Sequence, residues 1–327
     1  MKYTIGIDLG GTKCVVLLGK DQISDNIDDF IIEKHTFETC QYRDAKKAMQ
    51  HIFEQIDSIL ESHSLTSEDI EGIGISCGGP LDSAKGVILN PPNLYGWQEV
   101  PVCRMLKERY PVRVRLENDA NACAVAEARF GAARGCKNIV FLTFGTGMGA
   151  GIIVDGRLYS GTNNMAGEIG HVRLADFGPV GYGKAGSFEG FCSGGGIAQI
   201  AQIKALEYIQ QGKPQKLCTD RQRLNELTAK DVAIAAENGD ELALEIFRIC
   251  GAYLGKGISV LIDVLNPEII VLGSVYQRSG KFMREVMEDW VERESLARSK
   301  RVCRIEPAVL GDNIGDYAAL SLALLKE

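Results

Sequence analysis

Asp8 is the first residue whose type and position suggest chemistry. It ends an apolar run and is followed by the glycine-containing turn Leu9–Lys13. An ionised carboxylate there is costly unless it meets a metal ion or a hydrogen-bond donor. A plain glycine-rich surface turn is the alternative interpretation, but the carboxylate of Asp8 favours a ligand-binding site.

A second glycine-dense turn, Gly145–Gly151, repeats this arrangement later in the chain. Glycine permits positive φ and has no Cβ to block a ligand, so backbone N–H groups can line up against phosphate oxygens. The copies are separated by a domain-sized interval, which predicts a duplicated fold with a nucleotide in the cleft between its halves. Each turn lies between two predicted strands: Tyr3–Asp8 and Cys14–Gly19 for the first, Ile139–Phe144 and Gly151–Asp155 for the second.

Asp119 is the candidate general base. It follows the predicted strand Val112–Leu116 and precedes a predicted helix that ends at Gly131. Helix N-cap is the alternative role, because Asp is a common cap and a capping carboxylate has a lowered pKa. A weak base suffices where the hydroxyl loses its proton late, as in the loose transition state of phosphoryl transfer.

Four further residues are candidates for ligand contact. Glu168 and His171 lie three residues apart with glycines on both sides, which leaves Glu168 accessible; His171 could instead be a core or turn histidine. Asn93 offers both a donor and an acceptor on a proline-rich loop, or is a turn residue. Gly194 opens a predicted helix, either as a phosphate-binding terminus or as a flexible helix entry.

Hydrophobic periodicity predicts the elements that must position these residues. Residues 175–191 have no such pattern and are predicted to be a loop. The other predicted strands are Ile31–Phe37, Ile70–Ser76, Glu268–Leu272 and Arg301–Glu306, and the predicted helices cover residues 45–60, 122–130, 197–210, 228–236, 240–265 and 315–325.

The composition limits the class of protein. A length of 327 residues favours two domains, and 45% hydrophobic with 24% charged residues is an ordinary globular balance. The net charge of −7 and the isoelectric point near 5.4 argue against broad binding to nucleic acid or to an anionic membrane. Ten scattered cysteines without a C-x-x-C pair predict a reducing, cytoplasmic location, and no apolar run reaches the length of a membrane span.

Four motifs in this order resemble the ROK (repressor, open reading frame, kinase) family. They are Asp8-Leu-Gly-Gly-Thr12, Glu117-Asn-Asp-Ala-Asn121, Gly145-Thr-Gly-Met-Gly149 and Gly167-Glu-Ile-Gly-His171. The resemblance runs from residue 3 to about residue 320 and implies an α/β fold of the two-domain, actin-like ATPase (ribonuclease H-like) type. The expected domains are residues 1–117 plus 312–327, and residues 118–311.

The resemblance also implies roles for matching residues. Asp119 would be the catalytic base, and Asp8 would reach Mg²⁺ through water. ATP would be bound by Asp8, Gly10, Gly11, Thr12, Lys13, Thr146, Gly147, Gly194 and Gly273, and a sugar by Gly79, Asn93, Asn118, Asp119, Glu168, His171 and Glu189. The family usually has two glycines where this chain has Gly273-Ser274.

One stretch departs from the family pattern. Many members carry C-x-C-G-x-x-G-C-x-E shortly after the histidine, and its three cysteines hold zinc with that histidine. The matching stretch here, Val180–Glu189, keeps the glycines and the glutamate but has no cysteine. A structural zinc needs four ligands, so we predict no zinc site and a loop held by packing. Stoichiometric zinc in the purified protein would refute this.

The resemblance therefore implies an ATP- and Mg²⁺-dependent, glucokinase-like sugar kinase acting on a hexose or amino-hexose hydroxyl, O6 by analogy. A homodimer is expected, with no nucleic-acid or membrane partner. The first predicted strand begins at residue 3 and leaves no room for the winged helix of family repressors, which favours an enzyme. The alternatives are a non-catalytic sugar sensor acting through a protein partner, which would not need Asp8, Asp119 and Thr146, and a chaperone-type ATPase, for which no peptide-binding domain is apparent.

Overall fold

The computed structural model describes residues 2–21, 29–42, 44–145 and 147–325. The strands are β1 Tyr3–Leu9, β2 Lys13–Lys20, β3 Ile31–Glu38, β4 Ile70–Cys77, β5 Leu81–Asp82, β6 Val87–Ile88, β7 Arg113–Asn118, β8 Ile139–Phe144, β9 Met148–Val154, β10 Arg157–Leu158, β11 Val180–Gly181, β12 Lys184–Ala185, β13 Ile269–Leu272 and β14 Arg304–Pro307. The α-helices are α1 Ala45–Ser62, α2 Val102–Arg109, α3 Asp119–Phe130, α4 Phe188–Cys192, α5 Gly194–Gln211, α6 Ala229–Glu237, α7 Glu241–Leu265, α8 Val275–Ser279, α9 Arg284–Glu294, α10 Ala297–Val302 and α11 Ile314–Ala323.

Packing contacts divide the chain into two compact units. The first unit comprises Met1–Gly135, Leu158–Ala166 and Val309–Glu327, and the second comprises Cys136–Arg157 and Gly167–Ala308. Helix α3 thus groups with the first unit, whereas the sequence assigned it to the second domain. The domain boundaries at residues 117 and 312 remain a prediction, because contact density alone does not define a domain.

The first unit is built on a five-stranded sheet in the order β3-β2-β1-β4-β7. Strand β1 runs parallel to β4, and β4 runs parallel to β7, so their carboxyl ends lie at one edge. Both faces of β2 are covered: Val16 and Leu18 belong to the core under α1 and α2, while Val15 and Leu17 face α3 and α11. This double burial explains the continuous apolar run in that strand.

Helix α11 lies very close to the strands of this sheet because the strands carry glycine at the contact. A Cβ added at Gly74 would lie 2.1 Å from the carbonyl oxygen of Ala319, and one at Gly6 would lie 3.0 Å from the Leu320 side chain. Any larger residue would push the helix away. The close packing brings the start of α11 to the end of β1.

The second unit has a five-stranded sheet in the order β10-β9-β8-β13-β14. Strands β8, β13 and β14 are parallel, and β9 forms a hairpin with β8. The 25-residue helix α7 contributes Ile246, Leu254 and Ile258 to the core. Among the described residues, no helix combines the length and the apolar character needed to cross a membrane.

Two predicted strands begin three residues away from the start of the corresponding strand in the structure. Strand β9 begins at Met148 rather than at Gly151, because Met148 pairs with Phe144 and is buried with it. The glycine turn before it is correspondingly shorter. The predicted strand Arg301–Glu306 is correct only from Arg304, because Ala297–Val302 forms α10 from good helix formers.

Candidate functional site

Strand β7 ends at Asn118 and helix α3 begins at Asp119, and the two side chains have different roles. The side-chain oxygen of Asn118 accepts a hydrogen bond from the backbone N–H of Asn121 at 2.7 Å, so Asn118 is the N-cap. Asp119 is the first helical residue, and its Oδ1 accepts the N–H of Ala120 at 2.8 Å. The alternative that Asp119 is the N-cap is therefore wrong, and most of its acceptor capacity is available to a ligand.

The protonation of Asp119 also differs from the expectation for a cap. The residue is accessible to solvent, yet the protein atoms packed around its carboxylate partly desolvate it. Desolvation raises its pKa above the usual value, and backbone hydrogen bonds from Ala120 and from Asp119 itself lower it. Since the raising effect dominates, Asp119 is a stronger proton acceptor than an ordinary surface aspartate.

Asp8 lies at the carboxyl end of β1, beside Ser76 of β4 in the sheet register. Burial, together with the negative charges of Asp316 and Asp119, raises the pKa of Asp8 to about 6, although a hydrogen bond with Ser76 and the charge of Lys13 lower it. A carboxylate that is costly to ionise beside two other acids is suited to bind a cation. Because Mg²⁺ usually takes only one or two carboxylates together with waters and substrate phosphates, Asp8 fits a Mg²⁺ site.

Helix α11 contributes to the surroundings of Asp8 through its first turn. A Cβ at Gly315 would lie 2.9 Å from Oδ2 of Asp8, so only glycine permits this approach. The buried Asp316 forms an ion pair with Lys34 of β3. Neither Lys34, Gly315 nor Asp316 was singled out from the sequence, because their proximity to Asp8 depends on tertiary packing.

The first glycine turn is Gly10–Thr12, between β1 and β2. The N–H of Gly10 donates to the carbonyl of Lys13 at 3.1 Å, and the hydroxyl of Thr39 donates to the carbonyl of Gly10 at 2.6 Å. The side chain of Asn93 packs on the turn, since a Cβ at Gly11 would lie 2.6 Å from the Cβ of Asn93. Thr12 and Lys13 are exposed, and open space surrounds Gly79. The structure thus brings Asn93 to the predicted phosphate turn.

The second glycine turn lies between β8 and β9, and Thr146 within it is outside the described residues. The N–H of Gly194 at the start of α5 donates to the carbonyl of Gly145 at 3.0 Å. Oε2 of Glu189 accepts the N–H of Met148 at 3.0 Å and would lie 2.8 Å from a Cβ at Gly147. Glu189, which the resemblance implies as a sugar ligand, therefore also holds the turn.

Glu168 and His171 are exposed on the surface of the second unit: Glu168 directly precedes the short 3₁₀ turn Ile169–His171, and His171 is its last residue. The glycines that flank Glu168 and His171 allow close packing, whereas the sequence analysis attributed to them the accessibility of Glu168. Gly167 has φ of +96° and its Cβ would lie 2.0 Å from the carbonyl oxygen of Ala150, and a Cβ at Gly170 would lie 2.3 Å from that of Met148. The glycines thus let this segment pack on β9, while both candidate side chains stay accessible.

Comparison with known proteins decides the family. The ROK family model matches residues 4–326. The chain belongs to the ROK family. It is 32% identical over 318 residues to a glucokinase of Halalkalibacterium halodurans, covering 96% of this chain and 92% of the relative. It is also 28% identical to a xylose repressor of Caldicellulosiruptor bescii, covering 94% of this chain and 74% of that protein.

A solved structure supports the fold. A ROK glucokinase of Streptomyces griseus in complex with glucose and AMPPNP matches with a TM-score of 0.72 and 26% identity, covering 98% of each chain. The predicted fold class, a two-domain actin-like ATPase, is thus confirmed. Since both kinases and repressors are relatives, the family alone does not assign an activity.

The region that carries zinc in many ROK proteins forms a small hairpin here. Strands β11 and β12 pair, and the side chain of Gln199 makes two hydrogen bonds with the backbone of Val180, of 2.9 Å to its N–H and 2.8 Å to its carbonyl. The described residues contain no group of three or more His, Cys, Asp or Glu arranged to hold a metal ion. The absence of zinc remains a prediction, which metal analysis of the purified protein would test.

Ser274 is a feature that the sequence only hinted at. It follows β13 and adopts φ of +49° with ψ of −110°, a conformation that favours glycine. Its N–H donates to Oε1 of Gln277 at 3.1 Å, and its hydroxyl lies 3.4 Å from that of Thr143. The family's second glycine at this position would avoid the strain that serine bears.

Replacing Ser274 by glycine is expected to stabilise the protein by about 1 kcal/mol. The strain of a non-glycine residue with positive φ is about 1–3 kcal/mol, and the added freedom of glycine in the unfolded chain offsets about 0.5–1 kcal/mol. Urea unfolding would measure the difference. Ser274→Ala is the matched control, since it removes the hydroxyl and keeps the strain; a glycine variant less stable than the alanine variant would contradict the interpretation.

Proposed function

We propose that this protein is an ATP-dependent kinase, glucokinase-like, that phosphorylates a hydroxyl of a hexose or amino-hexose, at O6 by analogy. The observation that carries the proposal is the state of Asp119. Asp119 directly follows strand β7. Its carboxylate is not used as the helix cap, because Asn118 is the N-cap, and its pKa is raised. A sugar-binding protein without chemistry would have no need of such a base.

In the proposed reaction, Asp119 orients the sugar hydroxyl and accepts its proton as the hydroxyl oxygen attacks the γ-phosphorus. The proton ends on the carboxylate, and the bond from the γ-phosphorus to the leaving ADP oxygen breaks. Because the transition state is loose, the chain contributes mainly positioning and electrostatics. Asn118, Glu168, His171 and Glu189, with Gly79 and Asn93, would hold the sugar hydroxyls.

The phosphates would be bound by residues of the two glycine turns: Gly10, Gly11, Thr12 and Lys13 in the first turn, and Thr146 and Gly147 in the second. Gly194 and Gly273 would border the nucleotide. Asp8 would hold Mg²⁺, through water. ATP with bound Mg²⁺ supplies the phosphoryl group and neutralises part of its charge.

Two further parts of the proposal concern the protein in solution. We propose that it forms a homodimer in the cytoplasm without a nucleic-acid or membrane partner. Light scattering after gel filtration would measure the mass. A monomer at micromolar concentration would exclude the dimer.

A coupled assay of ADP release over a panel of hexoses and N-acetylhexosamines tests the function. Turnover with at least one sugar, lost without Mg²⁺, is expected. Sugar binding without any turnover would instead favour the sensor, an alternative that the similarity to repressors keeps open. Asp119→Asn run in the same panel excludes a contaminating kinase.

Glu168→Ala is expected to weaken sugar binding by about 10- to 100-fold, because a hydrogen bond to a charged group is worth about 1.5–3 kcal/mol. The KM for the sugar at saturating ATP measures this, and the KM for ATP should stay within a factor of two to three. Glu285→Ala, an exposed glutamate on α9, is the control. An unchanged sugar KM would remove Glu168 from the site.

A further inference from the structure

A cavity of about 780 Å³ lies in the first unit, outside the predicted ATP and sugar sites. It is bordered by the edge strand β7, by the end of α11, by α2 and by the segment 158–166. None of the described residues assigned to ATP or sugar lines it. Its volume lies in the range of small-molecule sites, which is about 300–1,000 Å³.

The charged residues of the cavity are mostly cationic. Lys107, Arg113 and Arg115 line it, against one acid, Glu117. Arg113, Arg115 and Glu117 alternate along β7 and therefore share one face of the strand. A local excess of positive charge in a chain of net charge −7 indicates an anionic ligand.

Two of the three cations, Lys107 and Arg115, keep hydrogen-bonding capacity for such a ligand. Arg113 is already engaged: it donates to the Glu71 carboxylate at 2.7 Å and to the carbonyl of Leu325 at 3.3 Å. Arg115 forms a long ion pair with Glu117, at 3.6 Å, which leaves most of its guanidinium donors without a close hydrogen bond. Lys107 forms no ion pair with any residue in the described part of the chain. An oxyanion between Lys107 and Arg115 would gain charge-assisted hydrogen bonds.

We propose that this cavity binds a phosphorylated monosaccharide. The phosphate would lie against Lys107 and Arg115, and the hydroxyl of Ser160 and the amide of Asn164 would bind sugar hydroxyls. The volume of about 780 Å³ is much larger than a free phosphate ion needs. The choice of a hexose 6-phosphate as ligand rests on the proposed function, because that compound would be the product of the reaction.

A chain of hydrogen bonds connects this cavity with the candidate catalytic residues. Glu117 is buried and accepts hydrogen bonds from Ser83 at 3.1 Å and from the Asn121 side chain at 3.2 Å. The N–H of Asn121 in turn binds the capping oxygen of Asn118, which precedes Asp119. A ligand that draws Arg115 from Glu117 would disturb this chain, so the bound product would regulate the candidate active site.

Isothermal titration calorimetry of the full chain with glucose 6-phosphate, without nucleotide, tests the proposal. Lys107→Gln and Arg115→Gln should each weaken binding about tenfold or more, since a charge-assisted hydrogen bond is lost. Arg104→Gln on the same helix as Lys107 lies outside the cavity lining and should leave the Kd unchanged. Lys107 has no ion pair to lose among the residues that the structure describes, so its variant should remain folded, which circular dichroism would verify.

Two further titrations distinguish binding in this cavity from binding at the candidate active site and from binding of a phosphate group alone. Glu168→Ala should not weaken the binding of glucose 6-phosphate to the cavity. Binding that is lost in Glu168→Ala and retained in Lys107→Gln would overturn the proposal, as would inorganic phosphate binding as tightly as glucose 6-phosphate. Because calorimetry needs no turnover, a failed ADP-release screen would count against the proposed function alone.

Discussion

Asp119→Asn is expected to lower kcat by about 10²- to 10⁴-fold, the usual contribution of a general base. Asparagine has nearly the same shape and can still accept a hydrogen bond from Ala120. It cannot take the proton from the attacking hydroxyl. The sugar Kd should change little, so steady-state kinetics combined with calorimetry would separate the chemical step from binding.

The control for this variant is Asp289→Asn, which changes an exposed carboxylate on α9. It should leave kcat unchanged. The pH dependence gives a second readout. Since desolvation raises the pKa of Asp119, kcat/KM should fall as the pH is lowered, with a midpoint above the ordinary titration range of aspartate. Near-normal turnover of Asp119→Asn would remove this residue from the mechanism.

The sequence was sufficient to predict the strands and turns that present these residues. Periodicity and glycine density are local signals, and the two glycine turns lie where they were expected, apart from the earlier start of β9. The choice between Asn118 and Asp119 as helix cap was not predictable in this way. Both side chains are good caps, and the outcome depends on which one reaches the N–H of Asn121.

Close packing was the other property that the sequence did not reveal. Gly167 and Gly170 were attributed to the accessibility of Glu168, whereas they allow contact with the carbonyls of β9. Likewise, Glu189 was assigned to a sugar by resemblance, and its hydrogen bond with Met148 became visible only in three dimensions. Such contacts join residues distant in sequence, and a single sequence carries no record of them.

Asp8→Asn is expected to stabilise the ligand-free protein at neutral pH while weakening its binding of Mg²⁺ and ATP. The folded-state pKa of Asp8 is about 6, above its ordinary value of 3.8, because its anion is desolvated and lies near Asp316 and Asp119. Each pKa unit corresponds to 1.36 kcal/mol, so ionised Asp8 destabilises the folded state by roughly 1–3 kcal/mol.

The pH window follows from the direction of this shift. Because the pKa of Asp8 is raised in the folded state, protonated Asp8 contributes its full stabilisation of the fold below about pH 4. This stabilisation is lost as the pH rises to about 6. The difference in the free energy of unfolding between Asp8→Asn and the wild type should therefore grow between pH 4 and pH 6 and stay constant above pH 6. Urea unfolding in metal-free buffer across this range would measure the gap.

Adding Mg²⁺ and ATP should reverse the order of stability. The wild-type carboxylate then gains a cation as partner, and ligand binding stabilises the folded state by mass action, whereas Asp8→Asn lacks the negative charge. Asp69→Asn changes a half-buried carboxylate of the same unit. It should show no such opening of a stability difference between pH 4 and pH 6, because the pKa of Asp69 is lowered by its hydrogen bonds with Thr66. An Asp8→Asn variant that is less stable than the wild type without metal at pH 7.5 would mean that the acid serves the fold rather than a cation.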